Sequence, residues 1–129
     1  MEVSKLVEKK VFTLLTNEDT LNNDFNDVYI GDLLSWVMGN GKPESVWLTV
    51  LSHMNIIAVA ALREFRAIII CEGAMIQPEV IERANEEKIA ILSTSLTSFE
   101  VAKILVGYGF CFIMIYIFIH AYHHVLMMI

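Results

Sequence analysis

At 129 residues, the chain has room for one domain with a real hydrophobic core and little more. Its net charge of −6 excludes the broad basic footprint that nucleic-acid binding requires. The first ten residues are charged and hold no apolar h-region, so no secretory signal is expected and the cytoplasm is the expected compartment. Cys71 and Cys111 each sit inside an apolar run. That context favours buried, reduced thiols over a disulfide or a CxxC redox pair.

The apolar fraction of 56% is unevenly spread, because every Asp, Glu, Lys and Arg lies at or before Lys103. Two regions of different character follow: a domain over residues 1–106 and an apolar tail over 107–129.

In chain order, Ser4 is placed to cap a short helix reaching about Lys9, with Val3, Leu6 and Val7 on one face. Val11 to Leu15 is a β-prone run, and Asn17 to Asp24 is polar and turn-rich, which predicts a loop. Phe25 to Ile30 resumes a strand pattern. Gly31-Asp32 then opens a helix over Leu33 to Met38 that Gly39-Asn40-Gly41 ends, with Pro43 beyond. Val46 to Val50 has strand preferences. Asn55 to Phe65 reads as a largely buried helix, and Ala67 to Cys71 as a parallel strand covered on both faces, stopped by Gly73. Pro78 suits the first turn of a helix to about Lys88, with Glu79, Glu82, Glu86 and Glu87 outward and Val80, Ile81 and Ala84 inward. Ile89 to Leu92 is a short strand. Thr97-Ser98-Phe99-Glu100 has the form of a capping box for the last helix. Strands alternating with helices imply a small layered α/β domain: a mostly parallel sheet, right-handed crossovers and flanking helices.

The motifs of catalysis are missing from the chain. Gly39-Asn40-Gly41-Lys42-Pro43 lacks the spacing and the Ser/Thr of a phosphate-binding loop, and GxGxxG, HExxH and GxSxG do not occur. Single polar residues in apolar surroundings remain. Asp32 and Ser35 are three apart; either Asp32 caps the helix and Ser35 is a surface residue, or Gly31-Asp32 and the helix start face a ligand. Thr49, Ser52, His53 and Asn55 follow a strand, and in parallel α/β sheets ligands gather at the carboxyl ends of strands. The plainer alternative is that Ser52 or His53 caps the next helix. Trp36 and Trp47 are read as core or interface residues, and the Glu79 to Glu87 charges as a solvated face.

The blocks Val28-Tyr29-Ile30-Gly31-Asp32-Leu33-Leu34-Ser35-Trp36-Val37-Met38-Gly39, Trp47-Leu48-Thr49-Val50, Asn55 to Ala60, Ile68 to Gly73, Ile91 to Thr94 and Phe99 to Ala102 resemble, in order, the stand-alone DRTGG-domain proteins of anaerobic bacteria. The resemblance covers about residues 1–106. It implies a fold similar to the N-terminal domain of HPr kinase/phosphorylase and to a regulatory insert of certain pyrophosphatases, with a regulatory or dimerising role. The kinase's phosphate-binding loop belongs to a domain that residues 1–106 do not include. Where the family's Asp-Arg pair falls, this chain has Asn22-Asn23, and Asp27 stands where glycine is usual. The Gly31-Asp32 block is intact.

From Ile104 the run carries no formal charge apart from the histidines, a length sufficient to span a bilayer. The expected readings are a tail anchor with poor charged flanks, a greasy helix buried in an oligomer, or the product of a frameshift in AT-rich DNA, which is preferred here. His120, His123 and His124 have helical spacing for a metal but no orienting carboxylate or thiolate nearby, so no metal site is expected.

The sequence thus predicts a non-catalytic regulatory or ligand-binding module, probing a small anionic ligand such as a nucleotide or phosphorylated metabolite, and forming a homo-oligomer. Gly31, Asp32, Ser35, Thr49, His53 and Asn55 are its expected ligand-binding residues, with no cofactor. The alternatives are an accessory subunit of a phosphotransfer enzyme, or a membrane-tethered adaptor if the tail is genuine.

Overall fold

The computed structural model describes residues 1–110. Its elements are α1 (Val3–Val7), β1 (Thr13–Leu14), a 3-10 helix (Glu18–Asn22), β2 (Asp27–Ile30), α2 (Leu34–Asn40), β3 (Ser45–Thr49), α3 (Asn55–Leu62), β4 (Ala67–Ile70), α4 (Pro78–Glu86), β5 (Ala90–Ser93) and α5 (Ser98–Gly107). The described residues divide into two units, Met1–Ser98 and a second that begins at Phe99. In the second, the Lys103 ammonium lies 5.7 Å from the Phe99 ring centroid, one turn away on α5.

In the first unit the five strands form one sheet in the order β1-β5-β4-β3-β2. Strands β2 to β5 are parallel, with Trp47 opposite Ile68 and Ile68 opposite Ile91. The antiparallel β1 closes the far edge, Thr13 facing Ser93. Every residue of β3 and β4 is buried, as strands covered on both faces must be. Trp47, Ile68, Ile70 and Ile91 pack with Val37 of α2, Ile56 and Ala60 of α3 and Val80 and Ala84 of α4 in one cluster. The alternating residues Leu48, Ile69 and Leu92 turn to the opposite face and are buried as well. The expected small layered α/β domain with a mostly parallel sheet and flanking helices is therefore what the chain forms.

Several boundaries differ from the sequence expectation, each for a local reason. Ser4 lies inside α1, whose N-cap is Glu2 without a side-chain bond. The stretch expected as a loop at Asn17 to Asp24 contains the 3-10 helix, held by Thr20 Oγ1 donating to the Asn17 carbonyl at 2.6 Å. Helices α3 and α4 stop earlier than expected, at Leu62 and Glu86. Both end in a left-handed residue that is not glycine, Glu64 (φ 59) and Lys88 (φ 57). The next amide reaches back to an earlier carbonyl, Phe65 N–H to Ala60 O and Ile89 N–H to Ala84 O. Each stop is a Schellman turn sealed by a buried apolar residue rather than by the usual glycine.

Glycine acts elsewhere. Helix α2 runs through Gly39, and Asn40 closes it by donating from Nδ2 to the Trp36 carbonyl at 2.9 Å. Gly41 has an ordinary φ of −65°, so its role is spatial: a Cβ there would collide with the ring of Phe65. That buried ring stands edge-on to Trp47, centroids 5.8 Å apart. Gly41→Ala is expected to lower stability by about 1–3 kcal/mol through overpacking, read as a lower urea midpoint at unchanged m-value.

Candidate functional site

The parallel strands bring the ends of β2, β3 and β4 side by side. Gly31 extends β2 by donating to the Leu48 carbonyl at 3.3 Å, and its own carbonyl accepts the Trp47 indole N–H at 2.8 Å. The chain then turns so that Asp32 Oδ1 accepts two hydrogen bonds, from Thr49 Oγ1 at 2.7 Å and from the Val50 amide at 2.9 Å. The Thr49 hydroxyl in turn accepts from the Leu51 amide at 3.1 Å, and the Thr49 carbonyl accepts from the Cys71 amide at 2.9 Å. One carboxylate therefore shapes the turn after β3 and, through Thr49, reaches the end of β4. Charge-assisted bonds of this kind are stronger than neutral ones.

The structure thus brings Gly31, Asp32 and Thr49 together. It corrects the reading of Asp32 as a helix cap: the N-cap of α2 is Leu33, without a side-chain bond, because the Asp32 carboxylate is turned to β3 instead. Asp32 also precedes the helix, so it shares no helical face with Ser35, which is exposed on α2. Neither Ser52 nor His53 caps α3, whose N-cap is Met54 without a side-chain bond. His53 and Asn55 are exposed, and no hydrogen bond ties either side chain to the Asp32 cluster among the described residues. Trp47 is a core residue at 0% exposure, whereas Trp36 is 64% exposed.

Cys71 is the neighbour that sequence reasoning did not connect to Asp32. It is fully buried and unpaired, with its thiol directed to the Ile69 carbonyl at 3.7 Å. Burial pushes its pKa up to about 11; the Thr49 backbone bond works against this, and the charges of Asp32 and Glu72 add to it. Such a thiol is inert as a nucleophile. The clue lay in register: Thr49 pairs with Ile70, so the residue after Ile70 must stand beside Thr49 and whatever Thr49 holds.

A second departure concerns the opposite edge. Asn23, at the place of the family's Asp-Arg pair, donates from Nδ2 to the carbonyls of Arg66 at 2.9 Å and Lys88 at 2.8 Å. These carbonyls lie just ahead of β4 and β5, at the amino edge of the sheet. Asn23 is a structural clip there, on the far side from Asp32. Among the described residues no group of three His, Cys, Asp or Glu side chains is placed to hold a metal ion, and no helix is long and apolar enough to cross a membrane. The tail from residue 111 onward, with Cys111 and the three histidines, lies outside the described residues.

The domain is a small, mostly parallel α/β fold in which one carboxylate pins the carboxyl ends of adjacent strands. The chain belongs to the DRTGG domain family, whose model matches residues 5–107. No curated protein matches it in sequence. Among solved structures it is similar to the CBS and DRTGG domains of the regulatory region of Clostridium perfringens pyrophosphatase, complexed with its activator diadenosine tetraphosphate. The TM-score is 0.67 at 15% identity, covering 81% of this chain and 46% of that one. The present chain thus spans about half the length of that neighbour, and the likeness is one of fold.

The raised thiol gives a direct check. In a Cys111→Ser background, Cys71 should stay unmodified by iodoacetamide at pH 8 in the folded protein and react readily in urea. Because the folded pKa lies above the ordinary 9.0, the unfolded thiol ionises first. The stability this proton confers is whole below pH 9 and is lost as pH rises from there through about 11.

Proposed function

We propose that the chain is a regulatory module that binds a small anionic ligand, a nucleotide or phosphorylated metabolite, without transforming it. The observation that carries this reading is the Asp32 pin. It uses a carboxylate and a hydroxyl to hold the turns after β2 and β3 rigid, and it leaves exposed polar side chains beside them. Gly31, Asp32 and Thr49 shape the site in this reading. Ser35, His53 and Asn55 meet the ligand, with the His53 imidazole supplying a hydrogen-bond donor. Pre-formed turns of this kind lower the ordering cost of binding.

Membership of the DRTGG family supports a regulatory role, as does a fold neighbour taken from a regulatory region and complexed with a dinucleotide activator. The absence of a phosphate-binding loop and of a nucleophile–base pair in the sequence supports binding without turnover.

Thermal-shift and calorimetric titration of the full chain against nucleotides and sugar phosphates tests this. The expected result is a ligand-induced rise in Tm. His53→Ala and Asn55→Ala should each weaken binding about tenfold, the loss of one polar contact, while the Tm without ligand stays unchanged because both side chains are exposed. Equal affinity in wild type and both variants would remove the ligand from this turn.

A further inference from the structure

We propose that the cavity bounded by β1 and by the turns after β4 and β5 is a binding site for a phosphomonoester with an apolar body. The cavity has a volume of ≈ 630 Å³, within the range of small-molecule pockets. Its polar lining is Lys10, Thr13, Ser93, Thr94 and Ser95, and no carboxylate is among its lining residues. The Lys10 ammonium has no ion-pair partner among the described residues, and the hydroxyls of Thr13, Ser93 and Ser95 make no hydrogen bond there either. One cation and three unengaged hydroxyls around one space are donors suited to phosphate oxygens. The remaining wall is aliphatic and includes Ile76 and Ile81, which suits an apolar group attached to that phosphate.

The sheet explains why the opening lies here. Strands β2 to β5 follow one another in sequence order, so there is no reversal of strand order between them to part the connecting loops. The antiparallel β1 breaks that succession beside β5, and the segment leading into β1 carries Lys10 to the same edge as the β5 turn. The floor is already built. Gly73 N–H donates to the Thr94 carbonyl at 2.9 Å, Glu72 N–H to the Leu96 carbonyl at 2.8 Å, and the Leu96 amide to Thr94 Oγ1 at 3.2 Å. Glu72 and Gly73 both hold positive φ, 60° and 68°, so the turn after β4 is fixed by these bonds. Thr94 is spent on that floor, which leaves Lys10, Thr13, Ser93 and Ser95 for a ligand. This site uses different residues from the turn after β3 and does not rest on the reading of that turn.

The test is amide NMR of the full chain titrated with phenyl phosphate, with phenol and inorganic phosphate as half-probes. Saturable shifts should centre on Lys10, Thr13, Ser93 and Ser95, and each half-probe should bind about tenfold more weakly or less. Lys10→Met should cost phenyl phosphate about tenfold in affinity with the remaining spectrum unchanged. Shifts that do not saturate, shifts centred on Asp32 to Asn55, or equal affinity in Lys10→Met would each overturn the proposal.

Discussion

The Asp32 carboxylate sits where three parallel strands end, and much of the carboxyl edge depends on what its Oδ1 accepts. With Thr49 Oγ1 and the Val50 amide both donating to it, the turns after β2 and β3 cannot move independently. Thr49 is 2% exposed, and a buried hydroxyl left without a partner costs free energy. Asp32 satisfies it from outside the sheet. The same carboxylate, held close, adds to the rise in the Cys71 pKa that burial begins. A single side chain therefore orders a turn, satisfies a buried donor and adds to the pKa rise that burial gives a neighbouring thiol.

The two edges of the sheet are closed by different chemistry. At the amino edge the Asn23 amide spans the Arg66 and Lys88 carbonyls, and the Schellman turns after α3 and α4 deliver those carbonyls to it. This clip is made of backbone acceptors and one neutral side chain. At the carboxyl edge the bonds converge on Asp32 and Thr94, and the polar groups they leave over are side chains: His53 and Asn55 on one stretch, Lys10 and Ser95 on another. The position of the family's eponymous pair thus serves the scaffold in this chain, while the recognition we propose lies on the opposite side.

Much of the fold was legible because burial writes itself into strands. Continuous apolar runs such as Ala67 to Ile70 announce strands covered on both faces, and the glutamates of α4 mark its outer surface. Helix ends were less legible where glycine was not the terminator: Glu64 and Lys88 adopt the left-handed turn because Phe65 and Ile89 gain burial by it. The grouping of Gly31 with Thr49 followed from parallel strands of adjacent sequence blocks. The Asp32 bonds did not, since a carboxylate ahead of a helix resembles a cap until the neighbouring strand offers better donors. Lys10 was hidden for another reason. Its meeting with Ser93 and Ser95 depends on β1 pairing antiparallel with β5, a contact across some eighty residues that no local pattern encodes.

A module that senses a ligand must hold it and return it unchanged. Phosphorus NMR of ATP, AMP and a sugar phosphate incubated with the full chain reads both properties at once. Binding without chemistry predicts broadened or shifted ligand resonances and no new signal over a day. A growing inorganic phosphate or transferred-phosphoryl resonance, or ligand spectra that the protein leaves untouched, would contradict it.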